Sequence, residues 1–395
     1  MIHALIGPPA TGDGYYDREE EVREVLKHLE NGSVILVAPR RFGKTSIMLR
    51  VKELLVQRGH LAFYLEVEWI DNIVTFLTEV FARLREEAKI KDRIQSKFAG
   101  LLNGLLGSID ELSIYDFKIR LKESLKHTWE DKGRELLSSL ERDQRIVLIV
   151  DELPLMLLNM RKAGLQNHEL LRFLQWLRSI RQSCPNTRFL LGGSVGFEHI
   201  IHEIGAEALA TVNDTARIRV RPFSQEVAKN FVKELLESEG IEASDVIVDD
   251  ILTVIGVPIP YFIQILVMAV RETTAEGAKV ESGLARQAYE KKFLSPEYRS
   301  YFDHYINRLE IYYDRVEVNA AKKILTDIAK KGKSTNRELY NIYVASTQSQ
   351  DYDRFTLLMS RLENDFYVSR TEEVYSFASG VLRDIWLGHY GVISV

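Results

Sequence analysis

The sequence predicts an α/β fold in which helices cover a parallel β-sheet, followed by a helical domain and a small C-terminal domain. Three observations lead to this prediction: aliphatic runs alternate with helical patterns up to Phe223, strand signals then stop, and two extended pieces reappear near the C-terminus. Alternating strands and helices are typical of parallel sheets. We therefore predict domains at residues 1–223, 224–313 and 314–395.

The composition is that of an ordinary globular protein. A chain of 395 residues has room for two or three domains, and 46% hydrophobic with 28% charged residues argues against global disorder. The single cysteine, Cys184, excludes a disulfide within the chain. The sequence lacks a signal-peptide pattern and any run of about 18 to 20 apolar residues. We expect a cytoplasmic protein without a membrane partner, and the net charge of −5 argues against nonspecific coating of nucleic acid.

The N-terminal elements alternate between helix and strand. Residues 1–16 are rich in Gly and Pro and predict an irregular arm, and DREEEVREVLKHLENG then predicts a helix ended by Asn-Gly. SVILVAP predicts a strand, RRFGKTSIMLRVKELLVQRG a helix and LAFYLEVEWI a second strand. The region from Asp71 to about Glu141 is mostly helical, so we predict a helical insertion near residues 90–140.

The later elements complete the sheet and add the C-terminal domains. RIVLIVDEL is typical of a strand buried on both faces, HELLRFLQWLRSIRQS of a helix, and TRFLLGGSV of another strand. ARIRVRPF predicts a last strand, placed at the sheet edge by its charge. Helices near Ala320–Lys331, Asn336–Val344 and Tyr352–Asn364 precede FYVSR and VYSFA. Three helices and a β-hairpin are the plan of a winged helix.

The strongest functional signal is APRRFGKTS, which lies between a predicted strand and a predicted helix, as a phosphate-binding loop (P-loop, Walker A motif) requires. Backbone N–H groups of such a loop and the helix dipole form an anion site. Gly43 allows close approach to phosphate, Lys44 places its charge between the β- and γ-phosphates, and Thr45 offers its hydroxyl to Mg²⁺. The predicted ligand is ATP or ADP with Mg²⁺. The predicted loop residues are Ala38, Pro39, Arg40, Arg41, Phe42, Gly43, Lys44, Thr45 and Ser46.

Two acids at the end of RIVLIVDEL supply the second part of the predicted centre. A carboxylate at the end of a buried strand beside a P-loop can hold Mg²⁺ through water, and we assign this Walker B role to Asp151. The adjacent Glu152 is the predicted general base for the attacking water. Acids that only solvate a strand tip are the alternative, and the presence of both motifs in the expected order argues against it.

Ser194 and several arginines are weaker candidates. Ser194 ends TRFLLGGSV, where it either hydrogen-bonds the attacking water or the γ-phosphate, or lies in a solvated Gly-Gly-Ser turn. Taken singly, an arginine is more often a surface or ion-pair residue than a catalytic one. Arg217 is our first choice among the candidate γ-phosphate sensors or fingers, which are Arg178, Arg181, Arg188 and Arg217.

With these residues assembled, the chain resembles AAA+/STAND-type P-loop ATPases, specifically the archaeal and bacterial "archaeal ATPase" family, relatives of origin-recognition ATPases. The resemblance spans nearly the whole chain and rests on GYYDREEEV, VAPRRFGKTSI, VLIVDELPLML, FLQWLRSIR, RFLLGGSVG, RVRPFSQEVA, GVPIPYFIQIL and LENDFYV…YSFASGVLRDIW. It implies that helices 224–313 form a lid. It also implies slow turnover, an ADP-closed resting state and an ATP-opened active state.

The resemblance also implies two further nucleotide contacts. The arm before the first helix is expected to border the adenine through Tyr15, Tyr16 and Asp17–Glu19, and a tyrosine is suited to stacking on the base. In the Gly-Val-Pro element of the lid, Pro258 is expected to touch the nucleotide. A proline that simply opens a helix is the alternative interpretation of Pro258.

The C-terminal domain carries little excess basic charge. Residues 316–395 hold ten basic and ten acidic residues, and the predicted recognition helix DYDRFTLLMSRLEND offers only Arg354 and Arg361. Neutralising DNA phosphates usually needs several Lys or Arg side chains on one face. The domain is therefore predicted to pack on the core or bind a protein. The best remaining DNA candidates are Lys330, Lys331 and Lys333.

The leading functional prediction is an ATP-hydrolysing molecular switch that relays its nucleotide state to a protein partner or to further copies of itself. One alternative is a DNA-associated AAA+ factor in replication, transposition or defence. A second is a nucleotide-binding scaffold that does not hydrolyse ATP.

Overall fold

The computed structural model describes residues 6–88, 100–104, 106, 112–140, 145–193, 197–274 and 282–391. Their contacts divide the chain into two compact units. The first, here called the sheet unit, consists of Arg18–Ala38 and Lys44–Val220. The second, here called the C-terminal unit, consists of Met1–Asp17, Pro39–Gly43 and Arg221–Val395. The domain boundaries at residues 223 and 313 stay predictions.

The sheet unit is built on five parallel strands. In chain order they are β1 (Ser33–Val37), β2 (Leu61–Glu66), β3 (Ile146–Asp151), β4 (Thr187–Gly193) and β5 (Thr215–Arg219). Their order in the sheet is β2-β3-β4-β1-β5, so the charged strand β5 lies at an edge, as predicted. Every residue of β3 is buried, which explains its nearly continuous apolar sequence.

Helices connect and cover these strands. Those of the sheet unit are α1 (Glu19–Asn31), α2 (Lys44–Gln57), α3 (Ile73–Ala88), α4 (Ile114–Leu125), α5 (Trp129–Leu140), α6 (Leu153–Lys162), α7 (Asn167–Ser183), α8 (Phe197–Ile204) and α9 (Ala206–Ala210). The predicted stripe of α1 is buried: Val22, Val25, Leu26 and Leu29. Helices α3 to α5 lie between β2 and β3 along the chain, and the helical insertion near residues 90–140 stays a prediction. Residues 89–99, 105, 107–111 and 141–144 lie outside the described part.

Strand β4 sets the spacing of the two motif-bearing strands. It pairs with β1 on one side and with β3 on the other. In this register Val37 is opposite Gly193, and Val150 is opposite Leu191. The carboxyl ends of parallel strands meet at one edge of a sheet, which is the usual place for ligands. The loop after β1 and the acids at the end of β3 therefore begin on either side of the tip of β4.

The C-terminal unit is mainly helical until residue 332. Its helices are α10 (Gln225–Ser238), α11 (Asp245–Ile255), α12 (Pro260–Thr273), α13 (Leu284–Ala288), α14 (Asp303–Tyr312), α15 (Arg315–Lys331), α16 (Asn336–Thr347), α17 (Tyr352–Asn364) and α18 (Gly380–Tyr390). A π-helical segment spans Tyr289–Phe293, and short 3-10 helices span Gly12–Gly14 and Pro296–Tyr301. Ser224 begins α10 by accepting a hydrogen bond from the Val227 N–H.

The end of the chain has the order of elements of a winged helix. Strand β6 (Lys333–Thr335) lies between α15 and α16, and α17 is followed by the hairpin β7 (Val368–Thr371) and β8 (Val374–Phe377). The three strands are antiparallel in the order β6-β8-β7. Strand β6 was not predicted. The predicted fold class, an α/β P-loop core followed by a helical region and a winged-helix-like domain, is confirmed. Within the described ranges, no helix combines the length and apolar character needed to span a bilayer.

Candidate functional site

The predicted P-loop joins β1 to α2. Ala38 is buried, and its N–H is donated to the Gly193 carbonyl at 3.4 Å. Two residues of the loop have left-handed backbone, Arg41 at φ 70° and Gly43 at φ 90°. At Gly43 this conformation favours glycine over other residues. Helix α2 then begins at Lys44, so the loop leads directly into the unpaired N–H groups of a helix N-terminus, which attract anions.

Lys44 and the two predicted acids meet at the strand tips. The Lys44 Nζ lies 2.6 Å from Asp151 Oδ1 and 2.7 Å from Glu152 Oε1. The Thr45 hydroxyl donates to Asp151 Oδ2 at 2.7 Å. These residues are more than a hundred positions apart in sequence, and the parallel sheet brings them together. The sequence prediction of this cluster therefore agrees with the geometry.

The cluster is buried and carries unbalanced charge. The Lys44 and Asp151 side chains are only 8% and 3% exposed. Burial opposes ionisation of Asp151, but the Lys44 charge and hydrogen bonds from Lys44, Thr45 and Tyr64 outweigh it and lower the pKa. Burial likewise opposes the charge on Lys44, and Asp151 and Glu152 outweigh it and raise the pKa. Two carboxylates share one ammonium, which leaves one negative charge in excess.

Sequence reasoning missed Tyr64, which donates a hydrogen bond to the Asp151 carboxylate. Its hydroxyl donates to Asp151 Oδ2 at 3.1 Å. Burial and the neighbouring Asp151 charge raise the Tyr64 pKa, so the hydroxyl remains a hydrogen-bond donor. The only sequence signal was a polar hydroxyl near the end of a strand next to β3, and tyrosine in a strand is usually a packing residue.

Gly192 is the second residue that sequence reasoning missed. A Cβ at this position would lie 2.5 Å from Asp151 Oδ1 and 2.7 Å from the sulfur of Met48. Those distances are shorter than real Cβ contacts, so any side chain would displace the carboxylate. Strand β4 therefore passes close to Asp151 because residue 192 is glycine.

Glu152 has an unusual backbone conformation. It follows β3 directly with φ 60°, in the left-handed region, and forms the N-cap position of α6. Its N–H is donated to Asp151 Oδ1 at 2.9 Å, and its Oε1 holds Lys44. Its Oε2 is buried and has no hydrogen-bond partner among the described residues. The general-base role of Glu152 stays a prediction.

The oxygen atoms at Thr45 and Asp151 are suited to Mg²⁺. Across the described part of the chain, no group of three or more His, Cys, Asp or Glu side chains is arranged to hold a metal without other ligands. Mg²⁺ in nucleotide sites uses few protein oxygens and completes its shell with water and phosphate. A hydroxyl and a carboxylate in contact, with excess negative charge, fit that requirement.

The remaining catalytic candidates are less informative. Ser194 lies outside the described residues. Arg217 is exposed on the edge strand β5. Arg181 is engaged by Asp214 at 2.8 Å and by the Thr211 carbonyl, which indicates a structural ion pair. Arg178 and Arg188 are half-buried on α7 and β4, and which arginine serves as a sensor stays open.

In the C-terminal unit, two of the residues expected at the nucleotide, Tyr16 and Pro258, both contact Phe223. The Tyr16 ring lies 6.1 Å from the Phe223 ring and 4.8 Å from the Phe231 ring. The Pro258 carbonyl accepts a hydrogen bond from the Phe223 N–H at 3.0 Å. Burial and the nearby Glu234 raise the pKa of Tyr16 to about 12. Their nucleotide contacts stay predictions.

Comparison with known proteins identifies the family. A sequence profile described as an ATPase domain predominantly from Archaea matches residues 15–264, more than half of the chain. The chain belongs to this ATPase family. The predicted relationship to the archaeal ATPases is thereby confirmed.

Two solved structures share the fold over nearly the full length. The Walker-type ATPase PABY2304 of Pyrococcus abyssi is 18% identical with a TM-score of 0.61, covering 97% of this chain and 99% of its own. The ORC2 protein of Aeropyrum pernix, in ADPNP–ADP complexes, is 13% identical with a TM-score of 0.53, covering 96% and 98%. At these identities the similarity shows the fold. No curated protein sequence matched the chain.

Proposed function

We propose that this ATPase binds Mg·ATP, hydrolyses it slowly, and uses its nucleotide state as a switch for a macromolecular partner. The observation that carries this proposal is the contact of Lys44 and Thr45, at the start of α2, with Asp151 at the end of β3. Membership of an ATPase family supports the same conclusion.

Different residues of the site are proposed to bind different parts of Mg·ATP. The P-loop N–H groups and the α2 N-terminus receive phosphate oxygens. Lys44 stays protonated because its pKa is raised, and it exchanges a carboxylate partner for the β- and γ-phosphates. Thr45 and Asp151 would hold Mg²⁺, which neutralises charge on the phosphates. Tyr16 and Pro258 are proposed to contact the nucleotide.

Glu152 is proposed as the general base. Water attacks the γ-phosphorus, the bond to the β-phosphate oxygen breaks, and ADP leaves while a Glu152 oxygen accepts the water proton. In this structure the Glu152 carboxylate is paired with Lys44 at 2.7 Å. Its Oε2, which has no hydrogen-bond partner among the described residues, is the oxygen open to the water proton.

Two substitutions test the proposal. Lys44→Ala is expected to weaken ATP and ADP binding at least about tenfold, because a charge-assisted contact to phosphate is lost. Glu152→Gln is expected to retain ATP binding and lower phosphate release about a hundredfold or more. Calorimetric titration and a phosphate-release assay measure these effects. Exposed residues provide matched controls in Lys162→Ala and Glu207→Gln. Wild-type behaviour of both test variants would refute the proposal.

DNA binding through the winged-helix-like domain is less well supported. Arg361 of α17 is buried and pairs with Glu317 at 2.7 Å, so it is not presented to a phosphate. Arg354, 73% exposed, is the other arginine of that helix and lies 3.8 Å from Asp351. Salt-dependent DNA binding that is lost when Lys330, Lys331 and Lys333 are changed to Ala would favour the DNA-associated alternative.

Two further measurements test the scaffold alternative and the nature of the partner. ATP bound at one equivalent without phosphate release, alone or with partners, would indicate a non-hydrolysing scaffold. Gel filtration with ADP and with a non-hydrolysable ATP analogue tests self-assembly. A change of apparent mass between the two nucleotides is expected if the switch acts on further copies of the chain.

A further inference from the structure

The middle of the P-loop is contacted by residues that follow it by more than two hundred positions. The Tyr305 hydroxyl, on α14, donates to the Arg40 carbonyl at 3.3 Å. The Phe42 ring meets the Phe366 ring edge-on at a centroid distance of 5.0 Å. Arg40 to Phe42, Tyr305 and Phe366 all belong to the C-terminal unit. This part of the loop is therefore fixed from outside the P-loop motif.

Phe42 is an unusual residue for a loop that binds phosphate. It is apolar and only 1% exposed, so it is a packing residue rather than a phosphate ligand. An edge-on aromatic pair adds stabilisation beyond the area it buries. The adjacent Arg41 lies 4.7 Å above the Tyr261 ring and donates to the Gly7 carbonyl at 3.2 Å. The side chains of Phe42 and Arg41 thus hold the loop in place, and the backbone N–H groups of the loop are the groups that can bind phosphate.

The bond from Tyr305 fixes a backbone donor of the loop. A trans peptide unit is planar, with its C=O and N–H pointing in opposite directions. When Tyr305 holds the Arg40 carbonyl, the direction of the Arg41 N–H is therefore set as well. N–H groups of consecutive loop residues are what an anion-binding nest requires. Tyr305 thus acts on a phosphate-binding group through the peptide plane.

Phe366 and Tyr305, the two residues that contact the loop, are themselves held by neighbouring hydrogen bonds. Phe366 lies two residues after the end of α17 and has φ 63°, a conformation that non-glycine residues rarely adopt. The preceding Asp365 is tied to Arg308 at 2.8 Å and to the Tyr313 hydroxyl at 2.8 Å. The Tyr305 carbonyl accepts a hydrogen bond from the Tyr367 hydroxyl. A shift of the segment after α17 therefore moves both contacts on the loop.

We propose that Tyr305 and Phe366 are positioning residues of the P-loop, and that nucleotide binding is coupled through them to the segment that joins α17 to β7. This inference rests on the proposed nucleotide-binding function. The coupling is reciprocal: what displaces Tyr305 and Phe366 weakens nucleotide binding, and nucleotide on the loop stabilises the contacts.

Two variants with matched controls test the affinity. Tyr305→Phe removes only the hydroxyl and is expected to weaken ADP and ATP-analogue binding about fivefold to tenfold. Phe366→Leu is expected to have a similar effect, and Phe366→Tyr, which keeps the ring, to restore near-wild-type affinity. Tyr340→Phe removes another hydroxyl that donates to a backbone carbonyl, and Phe355→Leu removes the ring of a buried phenylalanine. Both controls are expected to stay within about twofold of wild type.

Hydrogen exchange provides a readout that a loss of stability does not reproduce. In the wild-type protein, ADP is expected to slow amide exchange in residues 366–371, and Phe366→Leu should abolish this nucleotide-dependent difference while Phe355→Leu keeps it. Wild-type affinity in both Tyr305→Phe and Phe366→Leu would overturn the coupling. Failure of the wild-type protein itself to bind nucleotide would instead overturn the proposed function.

Discussion

Two buried ion-pair clusters in this protein differ in their charge balance. At the strand tips, one ammonium, Lys44, is shared by the carboxylates of Asp151 and Glu152. In the C-terminal unit, one guanidinium, Arg308, is paired with one carboxylate, Asp365, at 2.8 Å. The first cluster lies beside a loop at the carboxyl ends of parallel strands, and the second joins α14 to the end of α17.

The difference shows that burial alone does not identify a binding site. The Arg308 and Asp365 side chains are 4% and 5% exposed, as deeply buried as Lys44 and Asp151. In a balanced pair the two opposite charges neutralise each other. Two carboxylates around one ammonium leave one negative charge that a further cation can neutralise. Unbalanced charge at the tips of strands is the feature that marks the candidate site.

The largest expected effect comes from breaking the balanced pair. Arg308→Met leaves Asp365 buried without its cation and is expected to lower the free energy of unfolding by about 3–5 kcal/mol. Chemical denaturation measures this loss. The double variant Arg308→Met, Asp365→Leu should regain part of it, because no unpaired charge remains. A single variant as stable as the wild type would show that the pair has no structural role.

The next effect concerns the space around the unbalanced cluster. Gly192→Ala places a Cβ against Asp151 Oδ1, so the carboxylate must move. We expect a loss of about 1–3 kcal/mol in stability and a fall in Mg²⁺-dependent nucleotide affinity of about tenfold, measured by titration with and without Mg²⁺. The control is Gly32→Ala in the same unit, where a Cβ meets nothing within 4 Å. Equal affinities in the two variants would contradict this account of Gly192.

His304, in the C-terminal unit, is expected to make the stability of the protein depend on pH. Burial, with the charges of Arg41, Arg40 and Arg308, lowers the pKa of His304 to about 3. In the unfolded chain a histidine binds its proton below about pH 6.5. Between these two pKa values the unfolded state holds more protons, so stability falls as the pH is lowered through this window.

Replacing His304 should remove that dependence. His304→Gln is expected to reduce the loss of stability between about pH 7 and pH 5 by about 2 kcal/mol, since a pKa unit corresponds to about 1.4 kcal/mol. Denaturant unfolding at the two pH values measures it. The exposed His168 offers a control variant, His168→Gln, which should keep the wild-type dependence. An unchanged slope in His304→Gln would contradict the burial of a neutral histidine.

The smallest effect is expected when one tyrosine hydroxyl is removed from either cluster. Tyr64→Phe removes a hydrogen bond to Asp151, and Tyr313→Phe removes one to Asp365. Each is expected to cost about 1 kcal/mol of stability. Only Tyr64→Phe is expected to weaken Mg·nucleotide binding, by about threefold to fivefold. Equal effects on affinity would mean that the two clusters do not differ in function.

Much of the sheet and the centre of the site could be predicted from sequence. Strands β1 to β4 appear as aliphatic runs because they are mostly buried, and β5 appears as a charged run because it lies at the sheet edge. Lys44, Thr45 and Asp151 belong to motifs that can be recognised from sequence. Tyr64 and Gly192 could not be found this way, because their importance depends on which strands are neighbours. That order appears only when β4 is placed between β1 and β3.

The C-terminal unit was harder to predict for local reasons. Strand β6 is three residues long, and its last residue, Thr335, forms a capping box with Glu338 that is typical of a helix start. Arg308 and Asp365 are 57 positions apart, and no local pattern links them. The contacts of Phe42 were likewise invisible, since its motif specifies phosphate chemistry and not packing partners.

The left-handed backbone of Glu152 has a consequence for laboratory evolution. That conformation costs an L-residue with a Cβ roughly 1–2 kcal/mol, and glycine would relieve the strain. A library randomised at this codon and selected for heat resistance should therefore enrich glycine or asparagine. The same library selected for turnover should retain glutamate. Thermotolerance and catalysis would thus rank the substitutions in opposite orders at this one position.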